Sequence, residues 1–320
     1  MDGPGRSRPM GGNTHGHDAR GFRRRRRGVA SIVGALLVLL IVLVAFTLLF
    51  TEAVPVWMAQ NETVLEQQDQ ASLAQLQATV DLQDAFGTPH TALTSIGLTS
   101  AAVPVLAAPT QGSLLFEADS IPAFVNLSTA PGSGGSTGYD TNVSLGQLSV
   151  VLPNRYIPSE TLRFENGAVF VVGDASPSRL VFAPLFSVAR SGTNQSLAFT
   201  IVSLTGPTSG ASSGGTQQIA DTVRSTTTVV SHGAPLPGGG YGSGSVTVRI
   251  GSSNACAWAN FFTGALADAG FPSSEYAVVG PAGCTSGSPS FGVTTVTMDA
   301  ITYASVTWLT LSVELEAGGA

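Results

Sequence analysis

Residues 23–50, RRRRRGVASIVGALLVLLIVLVAFTLLF, decide how the rest of the chain is read: five consecutive arginines lead through Gly28 straight into an uncharged apolar run. From Val29 to Phe50 there are 22 residues without a charge. At ~1.5 Å per residue such a run makes a helix of about 33 Å, enough to cross a bilayer. A secretory h-region is shorter, roughly 7–15 residues, and ends in a small-residue cleavage site. Here the chain runs on into TEAVPVW, so the segment reads as retained. Arg6, Arg8, Arg20 and Arg23 to Arg27 all precede it. Positive flanks stay cytoplasmic, which puts the amino end inside and the bulk of the chain outside. Trp57 suits an interfacial aromatic on the outer side.

The net charge of −6 conceals a division. Before Gly28 stand eight Arg and two Asp; after it, six Arg face 18 acidic residues. A body that neutralises nucleic-acid phosphates needs a clustered basic surface where it folds, and this one is acidic, so nucleic acid is excluded as a partner. The arginine run alone reads as a nuclear-type signal, but its direct attachment to a spanning segment argues for a topology determinant.

Four regions follow: a basic cytoplasmic leader (1–28), a transmembrane helix (29–50), an extracytoplasmic helix or stalk (51–87) and a β-rich head (88–320). Residues 1–22 show no apolar periodicity and read as disordered, with either Met1 or Met10 as the start. In 56–86, Leu65, Leu73, Leu76 and Val80 recur near helical spacing. This helix serves either as a stalk or as a packing element. Pro55 is expected to kink or interrupt it, and Gly87 and Pro89 to end it.

Beyond Gly87 the texture changes to short apolar runs between Gly, Pro and Ser: SLLFEA, VSLGQLSVVL, TLRFENGAVFVV, RLVFAPLFSVA, QSLAFTIVSL and SVTVRI all read as strands. Asn166-Gly167 is the strongest hairpin signal. WLTLSVELE alternates Leu309, Leu311, Val313 and Leu315 against Thr310, Ser312 and Glu314, as in a strand with one buried face. One helix interrupts the strands, NACAWANFFTGALADAG, capped by Asn254, stopped by Gly270, and packing Trp258, Phe261, Phe262 and Leu266 on a sheet. The expected fold class is α+β: a long N-terminal helix extended outward, then a mainly β, sandwich-like head with one packed helix. The Gly/Ser tracts at 131–138, 206–215 and 235–245 read as surface loops.

Chemistry is sparse. GGSTG (134–138) and GASSG (210–214) match G-x-S-x-G, but neither is followed by a helical pattern, and only His90 and His232 lie outside the leader. No phosphate loop, paired-carboxylate motif or metal-ligand spacing stands out, so no enzyme activity, cofactor or metal is expected. Cys256 and Cys284 both fall on the outer side, where a disulfide between them can form and persist. Asn61, Asn126, Asn142 and Asn194 begin N-x-[ST] sequons on that same side and are candidate N-glycosylation sites in surface loops.

The junction RRRRRG/VASIVGALLVLLIVL resembles the class III signal of archaeal type IV pilins and pilin-like proteins. The resemblance implies cleavage between Gly28 and Val29 by a membrane aspartyl prepilin peptidase. Helices gathered in a filament core would otherwise bring together a ring of like charges. VPVWMAQNE, the Gln-rich helix and the β head are likewise similar to archaeal pilin-like surface proteins, specifically over Arg23 to Asp84 and more loosely at SVTVRIGSSNACAWANFFTGAL. Val33, fifth after the cut, stands where bacterial pilins carry Glu, so bacterial-type assembly is not implied, and the leader is long for the family unless Met10 starts the chain. The resemblance implies a non-enzymatic, membrane-anchored structural or adhesive protein of the cell surface, with prepilin peptidase and other pilin-like subunits as partners. The bulky head favours a minor, tip or accessory role. The rival is a single-pass anchored ectodomain that binds a ligand or surface layer without polymerising.

Overall fold

The computed structural model describes residues 19–86, 91–104, 106–129, 139–173, 176–192, 194–212, 215–232, 235–236, 240–241, 244–282, 284 and 291–317. The chain divides into two compact units, Met1–Pro55 and Val56–Ala320. The first is helical over its described residues. Helix α1 (Ala19–Leu48) takes in Arg20 and Arg23 to Arg27, so the leader expected to be irregular through residue 22 is helical from Ala19. Arginine is a good helix former, and the apolar run behind it propagates the helix. Residues 31–50 are exposed in their own unit apart from the half-exposed Leu49. Among the described residues this is the one helix long and apolar enough to cross a membrane, with a mean hydropathy of 3.2 over its apolar window.

Pro55 does not break the helix. A π turn (Leu49–Ala53) precedes it, in which the Val54 N–H reaches back to the Leu49 carbonyl, and α2 (Val54–Phe86) continues directly. In a regular helix the proline ring would press on the carbonyl four residues earlier. The widened turn absorbs that misfit, so the interruption expected at Pro55 takes the form of a π turn rather than a break. Thr47 and Thr51 bond back to the Leu43 and Thr47 carbonyls in the same turns.

The second unit carries α2 and a β head. Its strands are β1 (Thr91–Gly97), β2 (Ser113–Thr129), β3 (Tyr139–Leu152), β4 (Glu160–Glu165), β5 (Ala168–Gly173), β6 (Arg179–Phe182), β7 (Phe186–Ser191), β8 (Asn194–Thr205), β9 (Ser209–Ala211), β10 (Thr216–His232), β11 (Pro235–Leu236), β12 (Gly240–Tyr241) and β13 (Gly244–Ser252). Helix α3 (Ala255–Asp268) follows, then β14 (Tyr276–Val279), β15 (Gly292–Ile301) and β16 (Tyr303–Ala317). One sheet runs β1-β10-β16-β8-β7, with β16 and β8 parallel; the larger runs β14-β15-β13-β2-β3-β4-β5-β6, with β9 added on β2. The six runs read as strands are all strands, and the Gly/Ser tracts at 206–215 and 235–245 contain the short β9, β11 and β12. The 131–138 tract lies outside the described residues.

The Asn166-Gly167 turn joins β4 to β5 with Glu165 paired to Ala168. Both turn residues have positive φ, +50° and +73°, as a two-residue turn matched to the strand twist demands. Behind it β5 is buried on both faces. Ala168 and Phe170 join one core cluster with α3, β8, β13 and β15, while Val169 and Val171 join a second with α2 and β10. Strand β16 is shared the same way: Ala304 and Val306 enter the first cluster; Leu309, Leu311 and Val313 enter the second. Helix α3 buries Trp258, Phe262 and Leu266, with Phe261 half-buried beside them. It stops at Gly270, whose φ of +77° lets the Phe271 and Gly270 N–H groups turn back to the Leu266 and Ala267 carbonyls.

Candidate functional site

The polar chemistry of the head gathers in two places. The first is the seam under α2. Met58, Glu62, Leu65, Asp69, Leu73, Leu76, Val80 and Gln83 are all buried at spacings of three or four residues, the stripe of a helix packed on a surface rather than of a free stalk. Three of these positions are polar, and each has a partner on the head. Glu62 is enclosed by the loop after β3. Its carboxylate accepts the Thr110 hydroxyl at 2.6 Å and the backbone N–H groups of Arg155, Tyr156 and Ile157 at 3.0, 2.9 and 3.2 Å. Three successive N–H groups converging on one carboxylate form an anion nest. Burial pushes the Glu62 carboxyl up, but the Thr110 hydroxyl and the three N–H donors outweigh it and hold the group below its usual range. At the other end, Gln83 donates to Asp221 at 3.0 Å and the Thr200 hydroxyl to Asp84 at 3.0 Å.

Between these clamps lie two carboxyls shifted the opposite way from Glu62. Asp69 accepts the Gly97 N–H at 3.0 Å, yet burial raises it to about 7. Burial also raises Glu66 to about 7, together with the hydrogen-bonded Glu160 carboxyl and its charge, against the pull of Arg179 and the Gln70 amide. Both groups hold a proton more tightly folded than unfolded, where carboxyls titrate near ~4. Their stabilising contribution is complete below ~4 and is lost as pH rises through about 7. Glu62 has the reverse sign: its contribution is present above the unfolded value and is lost as pH falls through the lower folded one. The head is therefore expected to be most stable near pH ~4–5 and to lose on the order of 2 kcal/mol between pH ~5 and ~8. Urea unfolding across that range measures this, with Asp69→Asn flattening the slope; stability rising steadily toward pH ~8 in the parent chain refutes it.

The second place is Glu165, at the end of β4 and fully buried. Its carboxyl accepts the Ser252 hydroxyl and the Trp258 indole N–H on one oxygen, both at 2.6 Å, and the Asn254 amide on the other at 3.2 Å. Burial raises this carboxyl, opposed by the three donors and by the charge of Arg163. Asn254 therefore does not cap α3 with its side chain as expected: its amide is turned to Glu165, while the Ser252 hydroxyl oxygen accepts the Asn254 N–H at 2.8 Å. The arrangement fixes the start of α3 to the β4–β5 turn. Asn166 extends it by accepting the Val202 N–H at 2.9 Å.

Glu62, Asp69 and Glu165 are all buried. GASSG begins in β9, which is followed by β10 rather than by a helix, and two of its residues lie outside the described set, as do all of GGSTG and His90. His232 falls at the end of β10. Among the described residues no group of three or more metal-ligating side chains gathers. Cys256, in the first turn of α3, is disulfide-bonded to Cys284, with Cα atoms 5.2 Å apart. Gly28 and Val29 sit within α1. The four sequon asparagines lie in regular elements, not in loops: Asn61 in α2, Asn126 in β2, Asn142 in β3 and Asn194 at the start of β8. Glu62, Asp69 and Glu165 were not singled out from the sequence; the signal for the first two is that they fall on the spacing of the α2 stripe.

No protein-family model, no curated protein and no solved structure matches the chain.

Proposed function

We propose that the chain is a non-enzymatic, pilin-like protein of the cell surface, structural or adhesive, with its amino end cytoplasmic and its head outside. The observation that carries the reading is the division of labour along one helical stretch. Residues 31–50 are apolar and exposed apart from the half-exposed Leu49, while α2 from Met58 to Gln83 is bound into the head by a buried stripe. A bilayer satisfies the first segment, and neighbouring copies of the same helix would satisfy it in a filament. The two sheets sharing cores through β5 and β16 form a sandwich-like head in this reading. The basic side of the junction at Gly28 and Val29 is the part that assembly in a low-dielectric core would require removed. Membrane, prepilin peptidase and related subunits are the partners, and no cofactor or metal is needed.

Mass spectrometry of the amino-terminal peptide of the membrane-extracted native protein tests this. Val29 as the first residue is the expected result, followed by electron microscopy of the cell surface for filaments. Met1 or Met10 as the first residue, with the arginines intact, would leave an anchored ectodomain instead.

A further inference from the structure

The four sequons differ in what the fold leaves free. In Asn61-Glu-Thr, the asparagine amide is directed at the Ala101 carbonyl at 2.9 Å and Thr63 bonds back to Ala59. In Asn126-Leu-Ser, the Ser128 hydroxyl is held by Ser245 at 2.5 Å, and the site lies on a strand paired on both sides by β13 and β3. In Asn194-Gln-Ser, Ser196 is turned to the Ala189 carbonyl at 3.5 Å and Gln195 is buried, donating to Glu275. In Asn142-Val-Ser, the side chains of Asn142 and Ser144 are both exposed, and neither is hydrogen-bonded to another described residue. This part of β3 has β2 on one side only, because β4 pairs with β3 from Gln147 onward.

The strand register then gives Asn142 particular neighbours. It stands directly opposite Phe124 of β2, which stands opposite Arg249 of β13, so the three side chains share the outer face of the large sheet. Directly opposed side chains lie ~4.5–5.5 Å apart at Cβ. The Arg249 guanidinium carbon is 6.0 Å from the Phe124 ring centre, the contact of a cation with an aromatic face. A cavity of about 180 Å³ opens here, lined by Pro122, Phe124, Asn142, Arg249, Gly251 and Val293 among others. Beside it Phe291 is 62% exposed and Val293 40% exposed, an apolar ledge that solvent covers poorly. A side-chain carbon on Gly251 would fall 2.7 Å from Pro122 and 3.2 Å from Phe291, so the ledge depends on glycine at that position.

We propose that Asn142 carries an N-linked saccharide whose first sugar lies on Phe124 and whose hydroxyl oxygens accept from the Arg249 guanidinium. A sugar has a C–H-rich face for the aromatic ring and hydroxyl oxygens for the guanidinium, which matches what this ledge offers. The donor is a saccharide joined through its anomeric carbon to the phosphate of a lipid carrier, on the outer side of the membrane. The Asn142 amide nitrogen forms the new bond to that carbon as the bond to phosphate oxygen breaks. The phosphate leaves with the electron pair, and one amide proton passes to a base of the transferase. No oxidation or reduction takes place. The inference rests on the outward placement of the head proposed above.

Glycopeptide mass spectrometry of the native protein is the test. The Asn142 peptide is expected to carry a saccharide in most copies and the Asn126 peptide in few or none. In the same host, Asn142→Gln is expected to lower the midpoint of thermal unfolding by about 2–4 °C in the parent chain, and by much less when Phe124 is already Ala. Phe124 is half-buried on the outer face, so Phe124→Ala keeps the inner core intact, and Arg249→Gln serves as a second probe. An unmodified Asn142 alongside other modified sequons overturns this site while leaving the outward placement standing. No modified sequon at all overturns it too, and the amino-terminal residue reports on the placement separately. Equal effects of Asn142→Gln with and without Phe124 overturn the stacking.

Discussion

Glu165→Ala is expected to cost the head about 4–5 kcal/mol, the largest single effect predicted for this protein. Truncation leaves the Ser252 hydroxyl, the Trp258 indole N–H and the Asn254 amide without their acceptor, at roughly 1–3 kcal/mol for each buried orphan. It also opens a void against Trp258, whose ring centre is 5.3 Å from that of Phe170 in a cluster with Phe262. Some water enters and offsets part of the sum, which keeps the figure below a simple total. Glu165→Gln separates acceptor chemistry from volume. Its carbonyl oxygen can still take the Ser252 and Trp258 donors, and its new amide can donate to Asn254 Oδ1, which has no partner among the described residues, once the Asn254 amide turns over. The glutamine variant is expected within about 1–2 kcal/mol of the parent near neutral pH. Because burial raises the Glu165 carboxyl, its own contribution falls as pH rises through the folded value, and the glutamine variant loses that slope. Denaturant unfolding of both variants measures all of this. Equal losses for Ala and Gln would mean that the carboxyl position, not its donors, matters.

What local pattern announces and what it hides differ for physical reasons. The Asn166-Gly167 turn was legible because positive φ at two consecutive positions selects those residues, whatever surrounds them. The α3 stop at Gly270 and the apolar members of the α2 stripe were legible for the same kind of reason, a local rule with a fixed spacing. Strand β10 was not read as a strand. Its run TTTVVSH is polar, and its register against β16 slips between Val223 and Ser225, which destroys the alternation that marks a strand. Pro55 announced an irregularity, but its form, one widened turn ahead of the proline with the helix carried on, is not a matter of propensity, which describes a proline in a regular helix. Glu165 stands next to the Asn166-Gly167 turn, and nothing in its local pattern marks it as buried. It is buried only because α3, some 90 residues later, is laid over it, as the separation of 93 between Glu165 and Trp258 records. The same holds for the nest around Glu62, whose donors at Arg155, Tyr156 and Ile157 are 93, 94 and 95 residues away. Convergence of that range leaves no trace in spacing.

Glu62→Ala is the second large expectation, about 3–4 kcal/mol, and it bears on how the head is coupled to its helix. A carboxylate taking three backbone N–H groups and one hydroxyl is a charge-assisted cluster whose loss leaves four donors, three of them on a loop that can turn partly to water. That loop, residues 153–159, has no regular structure to hold it once the nest is empty, so the loss is expected to be local before it is global. Hydrogen exchange should show it: the amides of Arg155, Tyr156 and Ile157 lose protection, while those of β5 and β8 keep theirs. Glu62→Gln retains one acceptor oxygen but turns an amide donor toward donors, so it is expected to resemble Ala more than the parent. This is the reverse of the Glu165 case, because every partner at Glu62 donates and none can turn over to accept except the Thr110 hydroxyl. The contrast follows from the signs already assigned: one carboxyl is held below its usual range by donors, and the other is raised by burial. If Glu62→Ala leaves those three amides protected, the nest is incidental to docking the helix on the head, and the apolar stripe with the Asp69, Gln83 and Asp84 hydrogen bonds holds α2.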